Sequence, residues 1–401
     1  MNQININITK KSLALIFSIV LLASCNKIYE PVVPAVVYSP GDVTNTIAKK
    51  IAATSTYSIF TAALNRTGLF SVLDQANASF TVFAPNDAAF TASGLSLAVV
   101  NAMPLAQLTA AIQHHIIPNE KLSAALIAST VPNTEKKSAL NITTVAFVAS
   151  IPTTAIPIKM SVFPSKRATG AWLNNIPIAA TDVITGSNGV VHTMAAVVAP
   201  PTRVLWDTLS RDPEYAYFVA AVQRGDSGYI ATSSSNLQNA ALSQPFASLT
   251  VFAPTNLAFQ TLLTGAITQA LVAQGMPLAT AQATATALAS SPTVFSNPAL
   301  YPVLTAQLVR GIVVYHIMGQ RYFSVNFSST AANYPTLLNG AIPTHPGLSI
   351  FSTLSSNFGV ALSVKGAANA TAASATPVNN FVDRPAVNGN LFKINQVLMP
   401  Q

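Results

Sequence analysis

The sequence predicts an α+β protein built as two tandem copies of one strand–turn–helix unit. Three repeated phrases carry that prediction. TVFAPNDAAF (residues 81–90) returns as TVFAPTNLAF (250–259), with seven of ten positions identical. AIQHHIIPNEKLS (111–123) is answered by IVVYHIMGQRYFS (312–324), and NGVVHTMAAVVAP (188–200) by NGNLFKINQVLMP (388–400). Three matches in one order mark a tandem duplication. The partners lie 169 residues apart for the first phrase and 201 for the second, so the second copy holds an insertion of about 32 residues within 260–301.

The elements follow in chain order. Lys10 and Lys11 precede thirteen mainly apolar residues, Ser12 to Ser24, a charged n-region followed by an h-region too short to span a bilayer comfortably. The stretch ends in Leu22-Ala23-Ser24-Cys25, which resembles a bacterial lipobox, and Cys25 is the only cysteine of the chain. Residues 1–24 are therefore expected to be a lipoprotein signal peptide, with Cys25 as the lipidation site. A membrane partnership through that N-terminal lipid anchor follows, since acyl carbons bury at roughly 0.8 kcal/mol each. With a sole cysteine no intrachain disulfide can form, so the folds must stand on their cores. Residues 25–41, with PVVPAVVYSPG at 31–41, read as a stiff proline-rich tether.

From Val43 the apolar residues Ile47, Ile51, Ile59, Phe60 and Leu64 fall at roughly helical spacing. Thr81-Val82-Phe83 is then a β run, because Val and Phe favour a pleated, half-buried surface. Pro85 lacks a backbone N–H and ends it. Asn86 and Asp87 can cap a following helix, and Thr255 and Asn256 take those positions in the second copy. The pairs Val82/Val251 and Phe83/Phe252, with Thr81, Thr250, Pro85 and Pro254, make the phrase an architectural signature. Asn188-Gly189 and Asn388-Gly389 read as tight turns leading into a closing strand. The inserted stretch, rich in Ala, Thr and Gln, is expected to add one or two helices. Asp207 is a candidate cap for a helix starting near Thr208, and Asp207-Thr208-Leu209 resembles a short O-glycosylation acceptor.

The trio of TVFAPTNLAF, the Tyr315-His316 segment and the closing NGVVHTM phrase resembles the fasciclin (FAS1) domain, as found in two-domain lipoproteins of Bacteroidota. The resemblance covers nearly the whole mature chain, as domain 1 at 42–200 and domain 2 at 202–400. It implies two tandem FAS1 folds, each a wedge of β-strands with α-helices packed beside it. In animal members the Tyr-His region is tied to integrin adhesion. Tyr315 and His316 match that pair, while His114 and His115 depart from it, with His in place of Tyr. His115 and His316 recur at equivalent positions, which favours imidazoles buried and hydrogen-bonded to backbone at the end of a helix or strand over a ligand role. His192 matches the closing motif, and Phe392 replaces it in the second copy, which fits a packing role.

Composition excludes several function classes. The chain of 401 residues is half apolar and only 8% charged, with a net charge of +8. Its basic residues are scattered, whereas a nucleic-acid footprint needs a clustered basic face. From Ser227 through Val382 there is no carboxylate, which excludes paired-carboxylate chemistry across most of the second copy. No nucleophile elbow, P-loop or dinucleotide fingerprint occurs, and the five histidines offer no close metal spacing. No catalytic residue, metal or cofactor is expected. One residual enzyme reading would need His115 or His192 to meet Asp87 or Asp182 in a cleft. The expected function is a lipid-anchored cell-envelope protein of the outer membrane, surface-facing by preference, that binds an extracellular protein or polysaccharide. The alternative is an accessory subunit of an outer-membrane glycan-uptake complex, docking through Ala266–Leu300.

Overall fold

The computed structural model describes residues 42–127, 134–142, 158–167, 169–228, 237–354, 360–377 and 381–401. The signal peptide, Cys25 and the tether lie outside the described residues. Both copies belong to one compact unit, Asp42–Gln401.

In the first copy, helices α1 (Ile47–Ala53), α2 (Ser58–Thr67) and α3 (Leu69–Leu73) lead into strand β1 (Phe80–Pro85). The first helix starts at Ile47 and not at Val43, because Thr46 is its cap and Val43 stays exposed outside it. Next come α4 (Asp87–Ala92), α5 (Leu97–Ala102), α6 (Leu105–His114) and β2 (Ile116–Pro118). The remaining strands are β3 (Lys136–Asn141), β4 (Lys159–Val162), β5 (Pro164–Arg167), β6 (Gly170–Leu173), β7 (Ile176–Gly186) and β8 (Gly189–Met194).

The second copy repeats the opening with α7 (Leu205–Arg211), α8 (Ala216–Ser227), α9 (Gln238–Ser243) and β9 (Leu249–Pro254). Its insertion prolongs the capped helix itself. That helix, α10 (Asn256–Ala273), has 18 residues against six in α4, and α11 (Leu278–Ala289) folds back on it. Then follow α12 (Ala306–Tyr315), β10 (Ile317–Met318), β11 (Ala332–Tyr334), β12 (Leu348–Leu354), β13 (Val360–Lys365), β14 (Ala373–Ser374), β15 (Arg384–Ala386) and β16 (Gly389–Ile394).

The three repeated phrases turn out to be neighbours in space. In the first copy the strand order is β2-β1-β8-β7-β6-β5, and in the second β10-β9-β16-β15. The first strand of each copy pairs in parallel with the last, Phe83 opposite His192 and Phe252 opposite Phe392. Such a pair closes a unit across more than a hundred residues of intervening chain. It needs backbones to approach closely: a Cβ on Gly189 would sit 2.4 Å from the Phe80 carbonyl oxygen, and one on Gly389 2.4 Å from that of Leu249. The period-2 alternation of a strand sends Val82 and Ala84 into the helical core and Phe83 into the opposite one. Val251 and Ala253 against Phe252 divide in the same way.

The copies also differ. Among the described residues the first has a six-stranded sheet and a two-stranded one, β3-β4, whereas the second has a four-stranded sheet beside a further four-stranded one, β11-β12-β13-β14. They pack on each other through Phe163 and Trp172 of the first and Phe323 and Val325 of the second. The Arg321 guanidinium lies 4.9 Å from the centre of the Phe163 ring and donates to the Val387 carbonyl.

Candidate functional site

Most sequence-singled residues form a duplicated set of ties between segments distant along the chain. Asn188 and Asn388 do more than turn the chain. The Asn188 Oδ1 accepts from Ile47 N–H at 2.9 Å, and its Nδ2 donates to the carbonyls of Leu73 and Gln75. Asn388 makes the same three bonds, to Leu205, Leu242 and Gln244. Thr81 and Thr250 each donate to one carbonyl, of Glu120 and Gln320, and accept one amide, from Leu122 and Tyr322.

The capping pair divides its labour. Asn86 and Thr255 cap their own helices by accepting from Ala89 and Ala258. Asp87 does not cap the helix it opens: it accepts from Ser58 Oγ and Ile59 N–H, closing the start of α2 instead. Asn256 does the same at α8, accepting from Tyr217 N–H. Asp207 likewise is no cap. It lies in the first turn of α7, where Arg211 pairs with it at 2.5 Å and Arg203 at 3.5 Å, while Thr208 donates to the Val204 carbonyl.

The histidines are interior. His115 Nδ1–H donates to the Ala111 carbonyl at 2.7 Å and Nε2 accepts from Val198 N–H at 2.9 Å. His316 repeats both bonds with Ile312 and Leu398. Burial pushes each imidazole down to about 4, so both are neutral. Tyr315 donates its hydroxyl to the Gly347 carbonyl and accepts from Ala367 N–H. At the matching position both ring nitrogens of His114 lack a partner among the described residues, and burial pushes that imidazole down to about 3. All four side chains of the candidate adhesive segment are thus buried, out of reach of a partner.

His192 Nε2–H donates to the Leu122 carbonyl and Nδ1 accepts from Asp182 N–H. Burial lowers its pKa too, and the Asp182 carboxylate stays 3.7 Å away, bonded to Ala124 N–H. Of the four groups in the enzyme reading, the structure brings together Asp182 and His192 alone. Both nitrogens of that ring are already taken. Phe392 fills the same place by stacking on Phe252 at 5.2 Å.

What opens to solvent lies elsewhere. A groove of about 420 Å³ runs along α8, lined by Val219, Gln223, Arg224 and Ser227 on one side. Its far wall, Pro292 to Tyr301, comes from the inserted stretch. Arg224 sits over Tyr301, with its Cζ 3.7 Å from the ring centre, and its Nε donates to the Leu304 carbonyl. Sequence reading missed this site because helix and wall are some seventy residues apart. One signal was available: Arg66 sits in α2 as Arg224 sits in α8, and likewise donates to a carbonyl, that of Val100. Among the described residues no cluster of His, Cys, Asp or Glu could hold a metal, and no helix is long and apolar enough to cross a membrane.

A parallel pair of first and last strands, flanked by helices and written twice, defines a tandem α+β scaffold. Residues 55–200 match the family model of the fasciclin domain, and the second copy repeats the same parallel pairing of first and last strands. That family is generally one of non-enzymatic, adhesion-type modules. Among solved structures, a FAS1 domain pair from the insect cell adhesion molecule fasciclin I is similar over 88% of this chain and 95% of its own, at 14% identity and a TM-score of 0.33. No curated protein matches the chain.

Proposed function

We propose that the chain is a lipid-anchored envelope protein that binds an extracellular polysaccharide, matrix component or protein without turning it over. The observation that carries this reading is the solvent-open groove on a fasciclin scaffold whose signature histidines and Tyr315 are turned inward as packing. The scaffold holds the groove's floor helix through Asn256, so the site rests on a rigid element. The lipobox-like Leu22-Ala23-Ser24-Cys25 supports attachment to the outer membrane.

The purified full-length chain should retain members of a broad glycan and protein array and leave them chemically unchanged. No retention of any member by the folded chain, or release of cleaved product, would defeat the reading. Cys25→Ser should move the protein from the membrane to the soluble fraction. An unchanged distribution would remove the anchor from the proposal. A second reading, docking to an envelope complex, draws support from Val272 and Leu278, exposed where α10 turns into α11. Loss of crosslinked partners on changing both to Ser would favour it.

A further inference from the structure

Arg224 occupies an unusual electrostatic position. From Ser227 to Val309 no Asp, Glu, Lys or Arg occurs, so the groove's inserted wall carries no charge. The nearest acid in sequence, Asp226, is buried and held by Arg310 at 3.1 Å and by the amides of Gln238 and Asn239. Among the described residues Arg224 therefore pairs with no carboxylate, and Nη1 meets only the Ser227 hydroxyl at 3.4 Å. Its stack on Tyr301 and its bond to Leu304 fix the guanidinium plane. A fixed guanidinium fork in a concave site is pre-organised for a planar anion, which it can bind with two parallel hydrogen bonds.

The rest of the groove selects among acidic ligands. Gln223, Ser227, Thr293 and Ser296 line it with neutral amide and hydroxyl groups, over a floor of Ala216, Val219 and Ala220. Neutral donors and acceptors above small apolar residues suit a ring that carries hydroxyls on its edge and C–H groups on its face. A peptide bound by strand addition would instead need an exposed sheet edge to pair with. Here the walls are a helix and a 3₁₀ turn, whose backbone groups bond within the element. The volume lies at the small end of ligand sites, room for one or two sugar rings.

We infer that this groove binds the carboxylate-bearing sugars of an acidic polysaccharide, with Arg224 taking the carboxylate. The inference rests on the binding reading above and narrows it to one ligand class. Titration of the full-length chain with oligogalacturonate should show saturable binding, and a neutral galactan of equal length should bind at least tenfold more weakly. Arg224→Met should lower the affinity for oligogalacturonate at least tenfold. Because that change also removes the bond to Leu304, Thr293→Glu provides the second arm. Thr293 is exposed, and a carboxylate there leaves the ties of Arg224 in place while repelling the ligand. The same tenfold loss is expected, with unchanged thermal unfolding. Equal binding of galactan, equal binding of poly-glutamate, or oligogalacturonate binding indifferent to Thr293→Glu would overturn the inference. Array ligands retained equally by wild type and Thr293→Glu would overturn it too, yet leave the broader binding reading standing.

Discussion

The two copies agree in their backbone-to-side-chain ties and disagree on their faces. Asn188 and Asn388 each make three matching bonds, and His115 and His316 each make two. Against that constancy, His114 stands where Tyr315 bridges two backbone groups, His192 stands where Phe392 stacks, and a hairpin of helices is added only to the second copy. The difference separates two kinds of position. Side chains whose backbone partners recur in both copies keep their identity, as Asn188/Asn388 and His115/His316 do. Those whose backbone partners belong to one copy alone, as with His192 and Tyr315, are replaced in the other.

The strongest way to break this comparison is to remove the asparagine tie. Asn188→Ala leaves the Ile47 amide and the Leu73 carbonyl buried without that partner, at about 1–3 kcal/mol for each group. Asn388→Ala does the same to Leu205 and Leu242. We expect each change to destabilise its own copy by about 3 kcal/mol or more. Trp172 lies in the first copy and Trp206 in the second, so each unfolding event has its own fluorophore once the other is changed to Phe. Urea unfolding that showed a large loss for one asparagine and none for the other would end the claim that the tie is common to both.

Acid should separate the copies in the opposite way, by their differences. His114, His115 and His192 of the first copy all have folded pKa values below 6.5, the first two at about 3 and about 4. The unfolded chain therefore takes up protons first, and stability present above pH 6.5 is lost as pH falls toward 4. Each fully shifted imidazole withdraws about 1.4 kcal/mol per pH unit in that window. The second copy has one strongly depressed imidazole, His316, and an opposing group. Burial raises the Asp383 carboxyl to about 6, although Ser324 and Asn390 hydrogen-bond it. Its contribution is fully present below pH 3.8 and is lost as pH rises through 6. The first copy should accordingly unfold at the higher pH, read from Trp172 before Trp206. The reverse order would contradict the burial assigned to these groups.

The His114/Tyr315 position sharpens the comparison at a single site. Tyr315→Phe deprives the Gly347 carbonyl and the Ala367 amide of their shared hydroxyl, at an expected loss of about 1–3 kcal/mol. His114→Phe removes two ring nitrogens that make no hydrogen bond among the described residues, so it should be neutral or stabilising by about 1 kcal/mol. Thermal unfolding of both variants, followed by the tryptophan of the affected copy, gives the two signs. A large loss from His114→Phe would mean that the imidazole bonds something in the folded protein.

Much of the frame was legible because it is written in short local phrases. The β run of 81–83, the stop at Pro85 and the caps at Asn86 and Thr255 depend on a few adjacent residues. What escaped reading depends on distance. Asp87 looks like a cap for the helix beside it, yet it closes one that starts 29 residues earlier, since only the fold brings Ser58 alongside. Asn188 reads as a turn residue because its partners Ile47 and Leu73 lie over a hundred positions away. The groove is invisible for the same reason: Arg224 and Tyr301 meet only after the insertion folds back. The recurrence of His115 and His316 pointed to imidazoles buried and hydrogen-bonded to backbone at a helix end, where both lie, whereas the partners of Tyr315, Gly347 and Ala367, are too distant in sequence to be read.

The smallest expected effect returns to the capping pair and tests how interchangeable the copies are. Asn86 accepts from Ala89 N–H at 2.9 Å and Thr255 from Ala258 N–H at 3.2 Å, from the same place before the helix. Either side-chain oxygen satisfies one amide that the helix cannot. Replacing it with Ala leaves that amide open, so Asn86→Ala and Thr255→Ala should each lose about 1 kcal/mol. Exchanging the cappers, Asn86→Thr and Thr255→Asn, should change stability by only a few tenths of a kcal/mol, because both residues rank as good caps. Chemical denaturation of the four variants measures the contrast directly. If an exchange proved as damaging as the alanine change, the two residues would be doing something beyond capping, and the equivalence of the repeated phrases would fail at this position.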